Sequence, residues 1–164
     1  MTRNGRRIVL GLGNTLNTDE GLGVHALAVL GRALSGRTLM EFIDGGTLGL
    51  NLLPLVEESS HLLLLDAVDG GTPPGTVIEL PGEQIPLFQG IKVSGHQVTF
   101  QEVLGLARVR DKFPTHLHLV GMQPAEISLG VGVSATVERM IPELLLRAER
   151  VLRSWGMIQD SQGA

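Results

Sequence analysis

The chain of 164 residues contains no cysteine. This absence excludes a disulfide scaffold, a thiolate metal site and a cysteine nucleophile, so any metal ion must be held by nitrogen and oxygen ligands. Aromatic residues are also scarce, at 3% of the chain. The core must therefore be built from aliphatic side chains.

A long apolar run is absent as well. Arg3, Arg6 and Arg7 precede an apolar stretch, as they would in a signal peptide, but that stretch contains two glycines and ends at Asn14. A secretory core needs about 7–15 apolar residues, and a membrane span needs about 20. We interpret the stretch as a first strand and expect a cytoplasmic protein that does not enter a membrane.

The charge distribution shows no basic stripe. The formal net charge is −4 and the sequence pI is about 5.7. Proteins that track nucleic-acid phosphates carry clustered basic residues with interleaved aromatics, so nucleic acid is not an expected partner. The acidic composition gives no reason to expect an oligomer, and a monomer is predicted.

The length and composition fit one α/β domain. Hydrophobic residues make up 43% of the chain and charged residues 18%, and 22 glycines suit many tight turns between strands and helices. We expect a single domain over residues 1–155 and a C-terminal tail over residues 156–164.

Apolar periodicity predicts strands that alternate with helices. The predicted strands cover residues 6–13, 38–44, 61–68, 76–80 and 116–124. The predicted helices cover residues 20–34, 48–59, 98–110 and 134–156, with Pro54 either kinking the second or marking a later start, and residues 81–95 read as irregular. The fourth strand follows the third too closely for a helical crossover and is expected to be an antiparallel edge strand. The predicted fold has three layers, a twisted and mostly parallel sheet with helices on both faces, and ligands bind such sheets at the carboxyl ends of the strands.

The stretch GLGNTLNTDEGLG, residues 11–23, resembles a nucleotide-binding turn. A dinucleotide fingerprint requires a third glycine, where this chain has Leu16, and a P-loop requires a lysine that is missing. Asp19 and Glu20 lie where a phosphate would bind, and their charges would repel it. A nucleotide-handling enzyme is therefore a secondary alternative, and Asp19 is interpreted as a helix cap.

Three polar residues are predicted to meet at one edge of the sheet. Glu20 lies in the first loop, Asp66 follows four leucines at the end of the third strand, and His96 lies just before a helix. Taken singly, Asp66 could serve as a turn residue and His96 as a helix cap or a surface residue. Taken together, two carboxylates and an imidazole suit a divalent ion such as Ni²⁺ or Zn²⁺.

With these residues in view, the chain closely resembles the hydrogenase maturation endopeptidases. Five motifs carry the resemblance from about Ile8 to Trp155: residues 11–23, DGGT at 44–47, LLLLDA at 62–67, GHQ at 95–97 and LVGMQP at 119–124. The resemblance implies a twisted five-stranded sheet between helices. By motif, it also implies that Glu20, Asp66 and His96 are the metal-binding residues.

The resemblance further implies a function. The expected reaction is removal of the C-terminal extension from the immature large subunit of a nickel–iron hydrogenase. The expected enzyme is a metal-dependent endopeptidase without a permanent cofactor, because the nickel is supplied by the substrate; Cd²⁺ or Zn²⁺ is expected to occupy the site in vitro. A nickel-binding chaperone that docks on the same subunit without cutting it is the alternative function.

Other polar residues are weaker site candidates. Asp44 also ends a strand and is a possible member of the surrounding shell of the site, although the Gly-Gly turn after it explains it equally well. His116 and His118 share one face of a strand, but they lie at its start, away from the predicted site. They are interpreted as structural, and His25 and His61 as incidental.

Overall fold

A computed structural model describes residues 4–87 and 99–160. The described chain forms the strands β1 Arg6–Leu12, β2 Glu41–Gly46, β3 Ser59–Ala67, β4 Val77–Pro81 and β5 His116–Met122. It forms the α-helices α1 Leu22–Ala33, α2 Leu53–Glu58, α3 Phe100–Val109 and α4 Ala135–Ser154. Three short 3-10 helices cover Thr18–Gly21, Gly49–Leu52 and Gly82–Leu87.

The five strands form one sheet in the order β2-β1-β3-β5-β4. All neighbours are parallel except β4, which pairs antiparallel with β5 at the edge. The predicted α/β fold with a mostly parallel five-stranded sheet is confirmed, including the antiparallel edge strand. Because β1 and β3 lie side by side, the loops that follow them share one edge of the sheet.

The leucine run of β3 supplies both faces of the sheet. Leu62 and Leu64 pack into the core that includes residues of α2 and α3, whereas Leu63 and Leu65 pack into the core that includes residues of α1 and α4. All four side chains are fully buried. An uninterrupted apolar run is what a central parallel strand with helices on both faces requires. It also makes β3 a rigid support for the residue that follows it, Asp66.

Several element boundaries differ from the prediction. The first helix is preceded by a 3-10 turn, so α1 begins at Leu22 rather than at residue 20. Pro54 lies in the first turn of α2, where its missing N–H is not needed, and the later start is the correct alternative. The segment expected to be irregular after residue 81 begins with the 3-10 helix Gly82–Leu87, and its remainder lies outside the described residues.

The predicted tail begins too early at residue 156. Leu39 donates a backbone hydrogen bond to Met157 (3.1 Å), and Gln159 donates one to Arg37 (2.7 Å). Met157 is buried in the core beside α1 and α4. Residues 157–159 therefore pack against the chain that leads into β2, because an apolar residue just after a helix can still reach the core.

No helix in residues 4–87 or 99–160 is both long and apolar enough to cross a membrane.

Candidate active site at the carboxyl edge

Asp66 is a buried carboxyl group at the carboxyl end of the central strand. Its side chain is 7% exposed, and its Oδ1 accepts a hydrogen bond from the backbone N–H of Ala67 at 2.8 Å. The pKa of Asp66 is raised to about 7, mainly by burial and to a smaller extent by the charge of Glu20, while the hydrogen bond from the Ala67 N–H lowers it. A carboxyl group with a pKa near 7 holds or releases a proton at neutral pH, which is a property of functional sites.

Glu20 lies in the 3-10 turn that joins β1 to α1. Its side chain is half-buried, and its Oε2 accepts a hydrogen bond from Nδ2 of Asn17 at 3.0 Å. Glu20 raises the pKa of Asp66 electrostatically, so the two carboxyl groups lie within each other's field. Two of the three residues that the sequence predicted to meet thus lie at the same edge of the sheet, and their role as metal ligands stays a prediction.

Two glycines of the first motif fix this placement. Gly13 has a φ of 126°, which L side chains rarely adopt, and a Cβ atom there would collide with the carbonyl oxygen of Glu20. A Cβ atom on Gly23 would collide with the carbonyl oxygens of Leu65 and Leu12, at the ends of β3 and β1. The glycines therefore let the start of α1 enter between the two strand ends, which carries Glu20 toward Asp66.

Asp19 is not a helix cap, contrary to the sequence interpretation. It is fully buried and accepts four hydrogen bonds from the loop between β5 and α4. Its Oδ2 accepts from the backbone N–H of Ala125 (2.9 Å) and Glu126 (2.9 Å) and from Oγ of Ser134 (2.8 Å), while Oδ1 accepts from the backbone N–H of Ser134 (2.6 Å). Asp19, which precedes Glu20, therefore connects the loop after β1 to the loop after β5 by hydrogen bonds.

The pKa of Asp19 reflects this network. Burial alone raises the pKa, but the hydrogen bonds from Ser134, Glu126 and Ala125 together outweigh burial and lower it below the ordinary value. Asp19 is thus ionised at neutral pH with its charge already satisfied by the protein. A carboxylate in that state is poorly suited to bind a cation, which leaves Glu20 as the available carboxylate of this loop.

Asp44 lies too far from Asp66 for the two side chains to be in direct contact. It ends β2, which is separated from β3 by β1, and strands are spaced about 4.8 Å apart, so the two backbones lie roughly 10 Å apart across the sheet. The Asp44 side chain is exposed, and its Oδ1 accepts a hydrogen bond from the backbone N–H of Gly46 at 2.9 Å. This contact is the turn role that the sequence left open as the alternative.

His96, the third predicted ligand, lies outside the described residues. In the part of the chain that is described, no three His, Asp or Glu side chains are grouped so that they could hold a metal ion. The N-cap of α3 is Thr99, which forms a capping box with Glu102: Thr99 Oγ1 accepts from the Glu102 N–H at 3.2 Å, and Glu102 Oε2 accepts from the Thr99 N–H at 3.0 Å. His96 as a third ligand stays a prediction.

Gln123 organises the loop that follows Asp66 and was missed as a site residue. Its Oε1 accepts hydrogen bonds from Gly70 N–H (2.8 Å) and Thr72 Oγ1 (3.1 Å), and its Nε2 donates to Asp69 Oδ1 (3.1 Å). The side chain is 8% exposed. The motif LVGMQP contains this residue, and a lone amide after a buried strand was the available signal.

We expect Gln123→Ala to loosen this loop. The variant removes the three bonds that Oε1 accepts and the one that Nε2 donates, and it leaves the backbone N–H of Gly70 without its partner. The free energy of unfolding should therefore fall by about 1–3 kcal/mol. Urea denaturation measures the change. Asp69→Ala is the control, because it removes the bond to Nε2 and an exposed turn contact from the Gly71 N–H but keeps the bonds that Oε1 accepts, and it should cost less. Equal losses for the two variants would contradict the assignment of Gln123 as the organiser.

The remaining histidines lie in structural settings. The rings of His61 and His116 stack with their centroids 4.2 Å apart at the paired starts of β3 and β5, and both rings contact the edge of Trp155. His118 Nε2 lies 3.0 Å from Glu79 Oε1 on the neighbouring strand β4. His25 Nε2 lies 3.0 Å from Glu138 Oε2, between α1 and α4. The contacts of His116 and His118 agree with their interpretation as structural, and His25 and His61, interpreted as incidental, also contact specific partners.

Comparisons with known proteins give the class of this molecule. Residues 24–151 match the family model described as hydrogenase maturation protease. The chain belongs to the hydrogenase maturation protease family, as the resemblance in its motifs indicated, and a member of this family is a hydrolase that acts on peptide bonds. The match to the family model begins just after Glu20, whereas the comparisons with individual relatives extend over most of the chain.

The individual relatives agree in sequence and in fold. The chain is 41% identical over 154 residues to the hydrogenase expression/formation protein HupD of Rhizobium leguminosarum bv. viciae, covering 93% of this chain and 76% of that protein. It is 37% identical over 153 residues to the hydrogenase 2 maturation protease of Escherichia coli, covering 93% of each. The solved structure of the hydrogenase maturating endopeptidase HybD from Escherichia coli superposes with a TM-score of 0.81 at 37% identity, covering 93% of this chain and 95% of that chain.

Proposed function

We propose that this protein is an endopeptidase that removes the C-terminal extension from the nickel-loaded large-subunit precursor of a nickel–iron hydrogenase. The observation that carries the proposal is the buried carboxyl group of Asp66, with a pKa of about 7, beside Glu20 at the carboxyl edge of the sheet. Membership of the hydrogenase maturation protease family supplies the reaction class.

The chemistry of Asp66 suits a site that a cation enters from a substrate. Without a cation, the buried group keeps a proton for much of the time at neutral pH, which limits the cost of a second negative charge near Glu20. A metal ion binds only the deprotonated carboxylate, so its arrival releases that proton. Asp66 and Glu20 can therefore lie near each other without a bound ion and can still bind an ion that a substrate brings.

The nickel is proposed to belong to the substrate. Glu20, Asp66 and His96 would complete the coordination of that ion, with oxygen and nitrogen donors that suit Ni²⁺ as well as Cd²⁺ or Zn²⁺ in vitro. A bound divalent ion supplies Lewis-acid polarisation and an activated water. Cleavage would then report that nickel insertion is complete.

Glu20→Gln is expected to weaken the binding of Ni²⁺ or Cd²⁺ by about tenfold or more, because a charged ligand is replaced by a neutral amide. The same change should lower the pKa of Asp66 slightly from about 7, since the smaller of the two effects that raise it is removed while burial remains. Calorimetry measures the affinity, and NMR titration of the Asp66 carboxyl measures the pKa.

Asp44→Asn is the matched control for Glu20→Gln. It also removes one carboxylate from the carboxyl edge, but on the outer strand β2. Cation affinity and the pKa of Asp66 should both stay at the values of the unaltered protein. Equal losses of affinity for the two variants would show that only the general negative charge of this edge attracts the ion.

The proposed reaction is tested with the nickel-loaded large-subunit precursor and a nickel-free sample of the same precursor. Intact-mass analysis should show loss of a C-terminal fragment only in the loaded sample. Cleavage of both samples would contradict nickel gating. Tight binding of the loaded precursor without any change of mass would instead support the non-cleaving chaperone.

A further inference from the structure

Four large apolar side chains are exposed on two loops at the carboxyl edge. Leu16 lies in the loop after β1, and the other three lie in the loop after β5. Their exposed fractions are 58% for Leu16, 59% for Ile127, 89% for Leu129 and 87% for Val131. We call these four residues the docking patch. Single exposed apolar residues are common on protein surfaces, but several on adjoining loops indicate an interaction site.

Backbone hydrogen bonds join the two loops into one surface. The N–H of Gly130 donates to the carbonyl of Leu16 at 2.8 Å, and the N–H of Thr18 donates to the carbonyl of Gly130 at 3.0 Å. Gly130 lies between Leu129 and Val131, so these side chains flank the point at which the loops are bonded. The docking patch therefore combines residues from both loops.

The patch is also held in place before any partner binds. Thr18 Oγ1 donates to the carbonyl of Glu126 at 2.8 Å and accepts from the N–H of Ser128 at 3.0 Å. Asp19 adds its four hydrogen bonds to the same loop. A surface that is already ordered loses little conformational entropy when a partner binds, which favours affinity. The side chain that ties the loop down, Asp19, also precedes Glu20.

Four loops at the carboxyl edge carry charge of one sign. The loops that follow β1, β2, β3 and β5 cover residues 13–21, 45–52, 68–76 and 123–134, and none of these segments contains Lys or Arg. They carry Glu20, Asp69 and Glu126 as carboxylates with solvent access. A partner segment that pairs apolar contacts with Lys or Arg side chains complements this face, whereas an acidic segment is repelled.

We propose that the docking patch binds a segment of the hydrogenase large-subunit precursor that combines apolar side chains with Lys or Arg, and that this contact holds the precursor beside Glu20 and Asp66. The inference rests on the proposed function for the identity of the partner. It adds the surface that selects the precursor and the chemistry that this surface recognises. The patch supplies affinity and takes no part in bond cleavage.

The double variant Leu129→Ser and Val131→Ser tests the patch with the nickel-loaded precursor. We expect KM for cleavage to rise about five- to tenfold with kcat unchanged, because truncating two apolar anchors at an interface costs about 1 kcal/mol or more in total. Val109→Ser is the matched control, since Val109 is 84% exposed at the C-terminal end of α3. The control should leave KM unchanged.

Charge and location are tested separately. Glu126→Lys should raise KM and weaken its dependence on salt, because an attractive carboxylate is replaced by a cation. A photo-crosslinking residue at position 129 should attach to a precursor segment that contains Lys or Arg among apolar residues, as identified by peptide mass mapping. The same residue at position 109 should give no specific product.

The outcomes separate the two proposals. A wild-type protein that neither cleaves nor binds the loaded precursor would overturn the proposed function. A wild-type protein that cleaves, together with an unchanged KM in the double variant or crosslinks to an acidic segment, would overturn the docking patch alone. If the wild-type protein binds without cleaving, the same variants are compared by Kd, and an unchanged Kd again overturns the patch.

Discussion

Asp66→Asn is expected to abolish precursor cleavage and yet raise the free energy of unfolding at pH 8 by about 2–4 kcal/mol. The pKa of Asp66 is about 7 in the folded protein, well above the ordinary value of 3.8. Between these two values the folded protein binds a proton that the unfolded chain has lost, so the stability of the unaltered protein falls as pH rises. Asparagine cannot ionise, and the variant avoids this penalty.

The measurement is urea denaturation at several pH values. The stability gain of Asp66→Asn over the unaltered protein should grow from about pH 4 to pH 7 and then level off. Asp44→Asn is the control, because its carboxyl group is exposed at the same edge of the sheet and should leave the pH dependence unaltered. A pH profile of Asp66→Asn that parallels the unaltered protein would refute the raised pKa. Retained cleavage would remove Asp66 from the site.

Asp19→Asn is expected to lower the free energy of unfolding by about 3 kcal/mol at neutral pH, since each buried donor that loses its acceptor costs about 1–3 kcal/mol. An amide keeps one oxygen but places an NH₂ group against N–H and O–H donors of Ala125, Glu126 and Ser134. Precursor cleavage should fall with stability, because the first loop then loses its tie to the loop after β5.

The pH dependence of this effect has the opposite sign to that of Asp66. The pKa of Asp19 is lowered in the folded protein, so its contribution is present above the ordinary value of 3.8 and is lost as pH falls through the folded pKa. As the pH falls, Asp19→Asn should therefore lose less free energy of unfolding than the unaltered protein does. Ser134→Ala removes the Oγ contacts to Asp19 and to the Val137 N–H but keeps the backbone bond to Asp19, and should cost only about 1 kcal/mol. Equal costs for the two variants would contradict the four-bond network.

The placement of Glu20 and Asp66 at one edge of the sheet depends on a simple topological rule. Glu20 and Asp66 follow strands β1 and β3, and loops at the carboxyl ends of neighbouring parallel strands lie together. The leucine run before Asp66 identified a central strand because a strand with helices on both faces is apolar at every position. The fold class and the edge of the sheet at which these two carboxyl groups lie were therefore accessible from periodicity and motif order.

The parts that were missed depend on long-range contacts. Asp19 binds residues 106 to 115 positions later in the chain, and Gln123 binds a loop about 50 positions earlier. Local sequence patterns contain no information about such partners, so Asp19 was interpreted from its neighbours as a cap. The pairing of residues 157–159 with residues 37–39 escaped prediction for the same reason.

The tie made by Asp19 also affects the order in which the site is completed during synthesis. Asp19 and Glu20 are made early, but the hydrogen-bond donors that hold Asp19 belong to residues 125–134, and domains assemble as their segments emerge from the ribosome. A nascent chain that ends before residue 125 has the carboxylates of the site without the loop that fixes them. The peptidase therefore cannot reach its working geometry until residue 134, about four-fifths of the way along its chain of 164 residues, has been translated.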